Sequence, residues 1–254
     1  MRKLNIETII KLLVFLGLVA FYYIIVVSGM VNLYVHPRIL PFIKVSMVFM
    51  VIISLFLVLS IFKVGIIKKK KRSYAIFLIP LIMTLGMGSD AVTPSLLEKP
   101  NFDIRKEISL KNKEIDHSGH DHSKEGHEGV DELDTNNKQI VVEDKNYMFF
   151  LNEAYNDHDE YLGKEIEITG FIYKDDSLKK NELVLLRVMM VCCSADTQIV
   201  GLMCDYEGAS KFNNDTWVRG VGVLEESDSL EGVILNIKSL EKVNKPKNEY
   251  VYPY

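Results

Sequence analysis

Two groups of residues in this sequence could do chemistry. The first is Cys192-Cys193-Ser194-Ala195-Asp196, which follows an apolar run and sets two thiols and a carboxylate within a short stretch. Thiolate and carboxylate together suit a soft or borderline metal ion, and a thiol of lowered pKa suits redox exchange. The second is the tract Asp116-His117-Ser118-Gly119-His120-Asp121-His122-Ser123-Lys124-Glu125-Gly126-His127-Glu128, which holds four of the six histidines. Neutral imidazole is the commonest transition-metal ligand. A bend at Gly119 could bring His117, His120 and His122 to one ion, with Asp121 and His127 as further donors. Zinc takes four N, O or S ligands, and copper(II) and nickel also suit imidazole. The polar residues around the tract cannot bury enough surface to hold it folded, so an ion bound there must order it and is expected to exchange readily. Capture or handover of a divalent metal fits such a segment better than a fixed catalytic centre. A solvated linker whose histidines simply cluster is the plainer alternative.

The cysteines demand a scaffold. After Ile140-Val141-Val142 the pattern reads as a short amphipathic helix within Asn146–Gly163, capped by Asp144, and then five β-type runs. These are Glu165–Tyr173, Leu183–Val191, Gln198–Cys204, Trp217–Leu224 and Gly232–Ile237, with a helical or loop stretch over Tyr206–Asp215 between the third and fourth. That order predicts a small all-β, OB-like five-stranded barrel preceded by a helix. If Ser194–Thr197 turns a simple hairpin, Cys204 falls beside Arg187 and roughly 20 Å of strand separates it from Cys193. A disulfide tolerates Cα separations only up to about 7 Å, so that bond is excluded unless the Cys-Cys segment loops out. At least one cysteine could instead pack in the barrel as a small apolar side chain.

The front of the chain is of another kind. Leu12–Val31 is uncharged, Phe42–Phe62 carries only Lys44, and Tyr74–Val92 is apolar up to Asp90, with Pro80 inside it. About 20 apolar residues cross a hydrocarbon core of roughly 30 Å as a helix, and lipid leaves the helix as the expected form. Three transmembrane helices are therefore expected. The length of the first run and the spans that follow argue for a retained helix rather than a cleaved signal peptide. Lys63, Lys68, Lys69, Lys70, Lys71 and Arg72 between the second and third spans, with Arg2, Lys3 and Lys11 at the start, mark the cytoplasmic side. Three crossings then carry the remainder of the chain outside the cell membrane. The expected organisation is a membrane anchor over 1–95, a flexible acidic His-rich linker over 96–139 and an extracytoplasmic β domain over 140–254.

Charge divides the chain at the same point. Residues 1–95 have a net charge of +9 and the remainder −13, which together make the overall −4. The split excludes a single soluble globule, and the acidic back argues against nucleic acid as a partner despite the OB-like pattern. Three cysteines cannot staple a disulfide scaffold. Neither a Cys-x-x-Cys pair, a HExxH, a phosphate loop nor a Ser/His/Asp set can be read in the sequence, so an enzyme has little support.

Several short motifs converge on a family. Gly170-Phe171-Ile172-Tyr173, Cys192-Cys193-x-Ala195-Asp196, Gly201-Leu202, Trp217-Val218-x-x-Gly-Val-Gly and Pro246-x-x-x-Tyr250-Val251-Tyr252-Pro253 together resemble the "putative two-component membrane permease complex subunit" family. The resemblance covers most of residues 1–30, 70–95 and 140–254. It implies N-terminal membrane spans, a C-terminal domain of unassigned function and a separate multi-span permease as partner. The metal reading comes from this chain's own histidines, not from the family. Three functions follow as expectations. One is an anchored accessory subunit of a permease that gathers zinc or another divalent transition metal outside the membrane. The others are a tethered thiol-redox protein using Cys192 and Cys193, and a purely structural subunit.

Overall fold

A computed structural model describes residues 6–60, 133, 137–227 and 232–253. The chain divides into two compact units, Met1–Thr93 and Pro94–Tyr254. The expected third span, Tyr74–Val92, the lysine run and the histidine tract lie outside the described residues.

In the first unit, helix α1 (Ile6–Ser28) and helix α2 (Leu40–Ser60) pack against each other. At 1.5 Å per residue they are roughly 34 and 31 Å long, each enough for a hydrocarbon core. Among the described residues there are thus two helices long and apolar enough to cross a membrane, where three spans were expected. Their outward faces are apolar: Leu13, Tyr23, Ile24, Phe42, Phe49, Phe56 and Leu59 are all exposed. Water would penalise so large an apolar surface, and lipid would not. The Ser54 hydroxyl, buried in this setting, donates to the Met50 carbonyl one turn back at 2.8 Å. The link between the helices turns on Gly29, whose φ of +75° is left-handed, and on a short 3-10 turn begun by Pro37. His36 Nδ1 accepts the Arg38 backbone N–H there at 3.0 Å.

The second unit is a closed five-stranded barrel. Its strands are β2 (Glu165–Tyr173), β3 (Glu182–Met189), β4 (Gln198–Asp205), β5 (Trp217–Glu226) and β6 (Val233–Lys242). They close in the order β2-β3-β4-β6-β5-β2, with β4 and β6 parallel and the other pairs antiparallel. Alternation on β2 buries Ile166, Ile168 and Ile172 with Leu183 and Leu185 of β3 and Leu202 and Cys204 of β4. Helix α3 (Tyr147–Asn156) packs on this core through Tyr147, Phe150, Leu151 and Ala154, one face of a 3.6-residue repeat.

Two of three local expectations are corrected. Asp144 does not cap α3; Asn146 stands at the N-cap position and its Oδ1 accepts the Glu143 backbone N–H at 2.8 Å. Of the helical or loop stretch expected between β4 and β5, the structure has a loop with one 3-10 turn, Ala209–Lys211. Lys174 Nζ fastens that turn by donating to the carbonyls of Ala209 at 2.9 Å and Phe212 at 2.5 Å. The β3–β4 register pairs Met189 with Gln198 and Leu183 with Cys204, so Arg187 faces Val200 and not Cys204. The reason is that β3 stops at Met189 and the whole stretch from Met190 to Thr197 loops out.

Two short strands missing from the pattern reading complete the sheet. β1 (Gln139–Val142) runs parallel to the first half of β2, and β7 (Tyr250–Val251) runs parallel to the end of β3. β2 and β3 pair directly only over Phe171–Tyr173 and Val184–Leu186. Where they part, β1 continues on β2 and β7 continues on β3.

Candidate metal and thiol site

The looped-out segment after β3 is where the cysteine motif sits. Its base is held by the Met189–Gln198 pair and by the Met190 backbone N–H, which donates to the Val251 carbonyl at 3.0 Å. Ser194–Asp196 forms a 3-10 turn with Cys193, in extended conformation, at its N-cap. The Asp196 carboxylate reaches back into the loop. Oδ2 accepts the Cys192 N–H at 2.8 Å, Oδ1 accepts the Val191 N–H at 3.2 Å, and both accept from the Cys193 N–H at 3.3 Å. This is the acidic half of a capping box applied to three successive amides. The Thr197 hydroxyl closes the turn by donating to the Ser194 carbonyl at 3.2 Å.

The fold therefore gathers the three residues singled out from sequence. The sulfurs of Cys192 and Cys193 and a carboxylate oxygen of Asp196 all lie within 4.8 Å of one another. Cys192 is exposed, and Cys193 and Asp196 are partly so. All three cysteines are free thiols. Cys204 is the one that packs as a small apolar side chain: it is fully buried and burial pushes its thiol pKa up. Looping out does not bring it to Cys193, because it sits at the far end of β4, opposite Leu183.

The carboxylate governs the thiols. The hydrogen bond from the Cys192 thiol to Asp196, followed by that to Cys193, pushes the Cys192 pKa up to about 12. Slight desolvation raises the Asp196 pKa, but the Cys192 thiol and the amides of Cys192, Cys193 and Val191 outweigh it, and the carboxyl stays below its ordinary value. A depressed carboxyl stabilises the folded turn above its unfolded pKa, and that contribution is lost as pH falls through the folded value. The turn is thus held throughout the neutral range. A thiol that shares its proton with a carboxylate is a poor nucleophile at neutral pH, which runs against a redox role. In Asp196→Asn the acceptor oxygen stays and the charge goes. Alkylation of Cys192 by iodoacetamide at pH 8, followed by peptide mass, should then speed up by ~10-fold or more. An unchanged rate would mean that the carboxylate does not hold the proton.

A buried cation escaped the pattern reading. Arg187 stands on β3 where β2 leaves it, and is 1% exposed. Its Nη1 lies 2.8 Å from Asp144 Oδ1, just after β1, and its Nη2 donates to the Asn248 carbonyl, just before β7, at 3.3 Å. The guanidinium lies between two rings, 5.6 Å from the centroid of Tyr147 and 5.2 Å from that of Trp217. Arg187 ties both accessory strands and α3 to the barrel where β2 and β3 part. The single charge inside an apolar run was the available signal.

A family profile described as the DUF1980 C-terminal domain matches residues 118–253, more than half of the chain. The chain belongs to this family. The matched region takes in His120, Asp121, His122 and His127 as well as the whole barrel and its cysteine turn. UPF0703 protein YcgQ from Bacillus subtilis (strain 168) is 28% identical over 119 residues, 45% of this chain and 42% of that protein. A "Putative two-component membrane permease complex subunit" from Streptococcus mutans serotype c (strain ATCC 700610 / UA159) is 33% identical over 118 residues, 45% of this chain and 43% of that protein. The match thus spans less than half the length of either relative. Among solved structures, asparaginyl-tRNA synthetase from Pyrococcus horikoshii is similar to 33% of the chain and 20% of its own at 18% identity and a TM-score of 0.23. A likeness that slight carries nothing about the ligands of this DUF1980 protein.

Proposed function

We propose that this DUF1980 protein is a membrane-anchored, non-enzymatic accessory subunit of a permease complex. Family membership supports this reading together with the name carried by the Streptococcus mutans relative. The observation that carries the membrane part is the pair of apolar helices, α1 and α2, with their large apolar side chains turned outward. The bilayer covers those faces, and a separate multi-span permease is the partner. Tyr74–Val92 makes a third crossing, so the acidic barrel and the histidine tract face the cell exterior. The parity matters, since two crossings would return the barrel to the cytoplasmic side. Outside, His117, His120, Asp121, His122 and His127 collect zinc or a similar divalent ion for the permease.

Affinity capture of the tagged full-length protein from detergent-solubilised membranes should bring down a multi-span membrane protein in stoichiometric amount. Recovery of the protein alone would remove the permease reading. Protease added to intact spheroplasts should cut the barrel portion, and protection until lysis would reverse the orientation. Changing His117, His120, His122 and His127 to alanine should lower the number of zinc ions bound per full-length chain, whereas equal zinc binding would remove the role of the tract.

A further inference from the structure

Cys204 packs within the hydrophobic core, whereas Cys192 and Cys193 stand outside it on the looped-out turn. We propose that this turn is a preformed, open binding site for a zinc-like thiophilic divalent ion, separate from the histidine tract and independent of the permease reading. Zinc bonds sulfur at about 2.3 Å and oxygen at about 2.0–2.2 Å, so a tetrahedral ion needs S···S near 3.8 Å and S···O near 3.5 Å. The three donors, all within 4.8 Å of one another, need move by only about an ångström to meet that spacing.

The loop is built for it. Three backbone amides already orient the carboxylate, and the strand pair below and the tie of Met190 to Val251 hold the base of the loop. The ion takes the place now filled by the Cys192 thiol proton, between sulfur and carboxylate. Binding releases a proton from each thiol, M²⁺ + 2 RSH → M(SR)₂ + 2 H⁺, with no change of oxidation state. Affinity therefore rises with pH. Two sulfurs and one oxygen favour zinc or cadmium over magnesium or calcium, which take oxygen donors. With Cys192 exposed, a fourth position stays open to water or to a ligand from another protein, the arrangement of a site that can pass its ion on.

The test uses the full-length protein in detergent with the metal alone. In the variant with His117, His120, His122 and His127 all changed to alanine, one zinc per chain should still compete with a chromophoric chelator. Cadmium should raise a thiolate-to-metal charge-transfer band in the same variant. Adding Cys192→Ser and Cys193→Ser should abolish the band and weaken zinc binding by ~100-fold or more, with the fluorescence of Trp217 unchanged as a check of folding. Asp196→Asn alone should keep the band and weaken zinc binding. The proposal is overturned if the four-histidine variant binds no zinc or shows no cadmium band, or if the serine changes leave both as they were. Loss of permease co-purification would leave these outcomes untouched.

Discussion

Asp144→Ala should lower the stability of the barrel by about 3 kcal/mol, whereas Arg187→Met, at the other end of the same ion pair, should cost about 1 kcal/mol or less. The asymmetry comes from burial. Asp144 is 44% exposed and can hydrate when its partner goes, while Arg187 is 1% exposed and cannot. Removing the carboxylate strands a cation in the barrel wall with the Asn248 carbonyl and two ring faces for company. Removing the charge and keeping the length of the side chain leaves an apolar filler between those rings. Trp217 is the single tryptophan and lies against the guanidinium, so its fluorescence follows urea unfolding of the full-length protein in detergent. A larger loss for Arg187→Met than for Asp144→Ala would mean that the pair stabilises by attraction and not by sparing a buried charge.

Gly222→Ala should damage the barrel severely, costing ~3 kcal/mol or more, or preventing folding outright. Gly222 sits at a register shift between β5 and β6, and a Cβ there would run into the backbone carbonyl of Asn236. The partner atom belongs to the neighbouring strand, so no change of rotamer relieves the overlap, and the β5–β6 pairing must open. Gly220→Ala, two residues earlier on the same strand, provides the contrast. Its added carbon would meet only side-chain ends, Leu185 Cδ1 at 3.1 Å, Leu240 Cδ1 at 3.4 Å and Ile237 Cδ1 at 3.5 Å. Those methyls can rotate aside, and the cost should stay near 1 kcal/mol. Equal midpoints for the two variants in urea would show that the bulge at Gly222 relaxes without opening the sheet.

The barrel strands were legible because burial on one face imposes a period of two that local residue choice must follow. Glu165–Tyr173 begins and ends where its alternation does, and Gln198 and Trp217 mark strand starts read correctly. β6 runs on to Lys242, five residues past the apolar run that announced it, because its later half buries only Leu240 among the exposed polar residues Lys238, Ser239, Glu241 and Lys242. β1 and β7 were missed because four- and two-residue strands carry too few side chains for any period, and each exists only by pairing with an established strand.

The cysteine turn divides the same way. Residue types and spacing alone nominated Cys192, Cys193 and Asp196, since thiols and a carboxylate in one short segment have a limited chemistry. The Cys204 register was misread because a hairpin's pairing depends on how many residues loop out, and eight do here between Met189 and Gln198. That number is set by contacts distant in the chain, the amides folding around Asp196 and β7 capturing Met190. Arg187 belongs wholly to that second category. Its neighbours in sequence are apolar, and the groups that make its charge tolerable, Asp144 and Tyr147, Trp217 and Asn248, arrive from three separate segments. Periodicity and composition are local sums and could foretell strands, helices and ligand types; the solvation of one buried charge depends on which distant groups meet it, and that exists only once the chain has closed into its barrel.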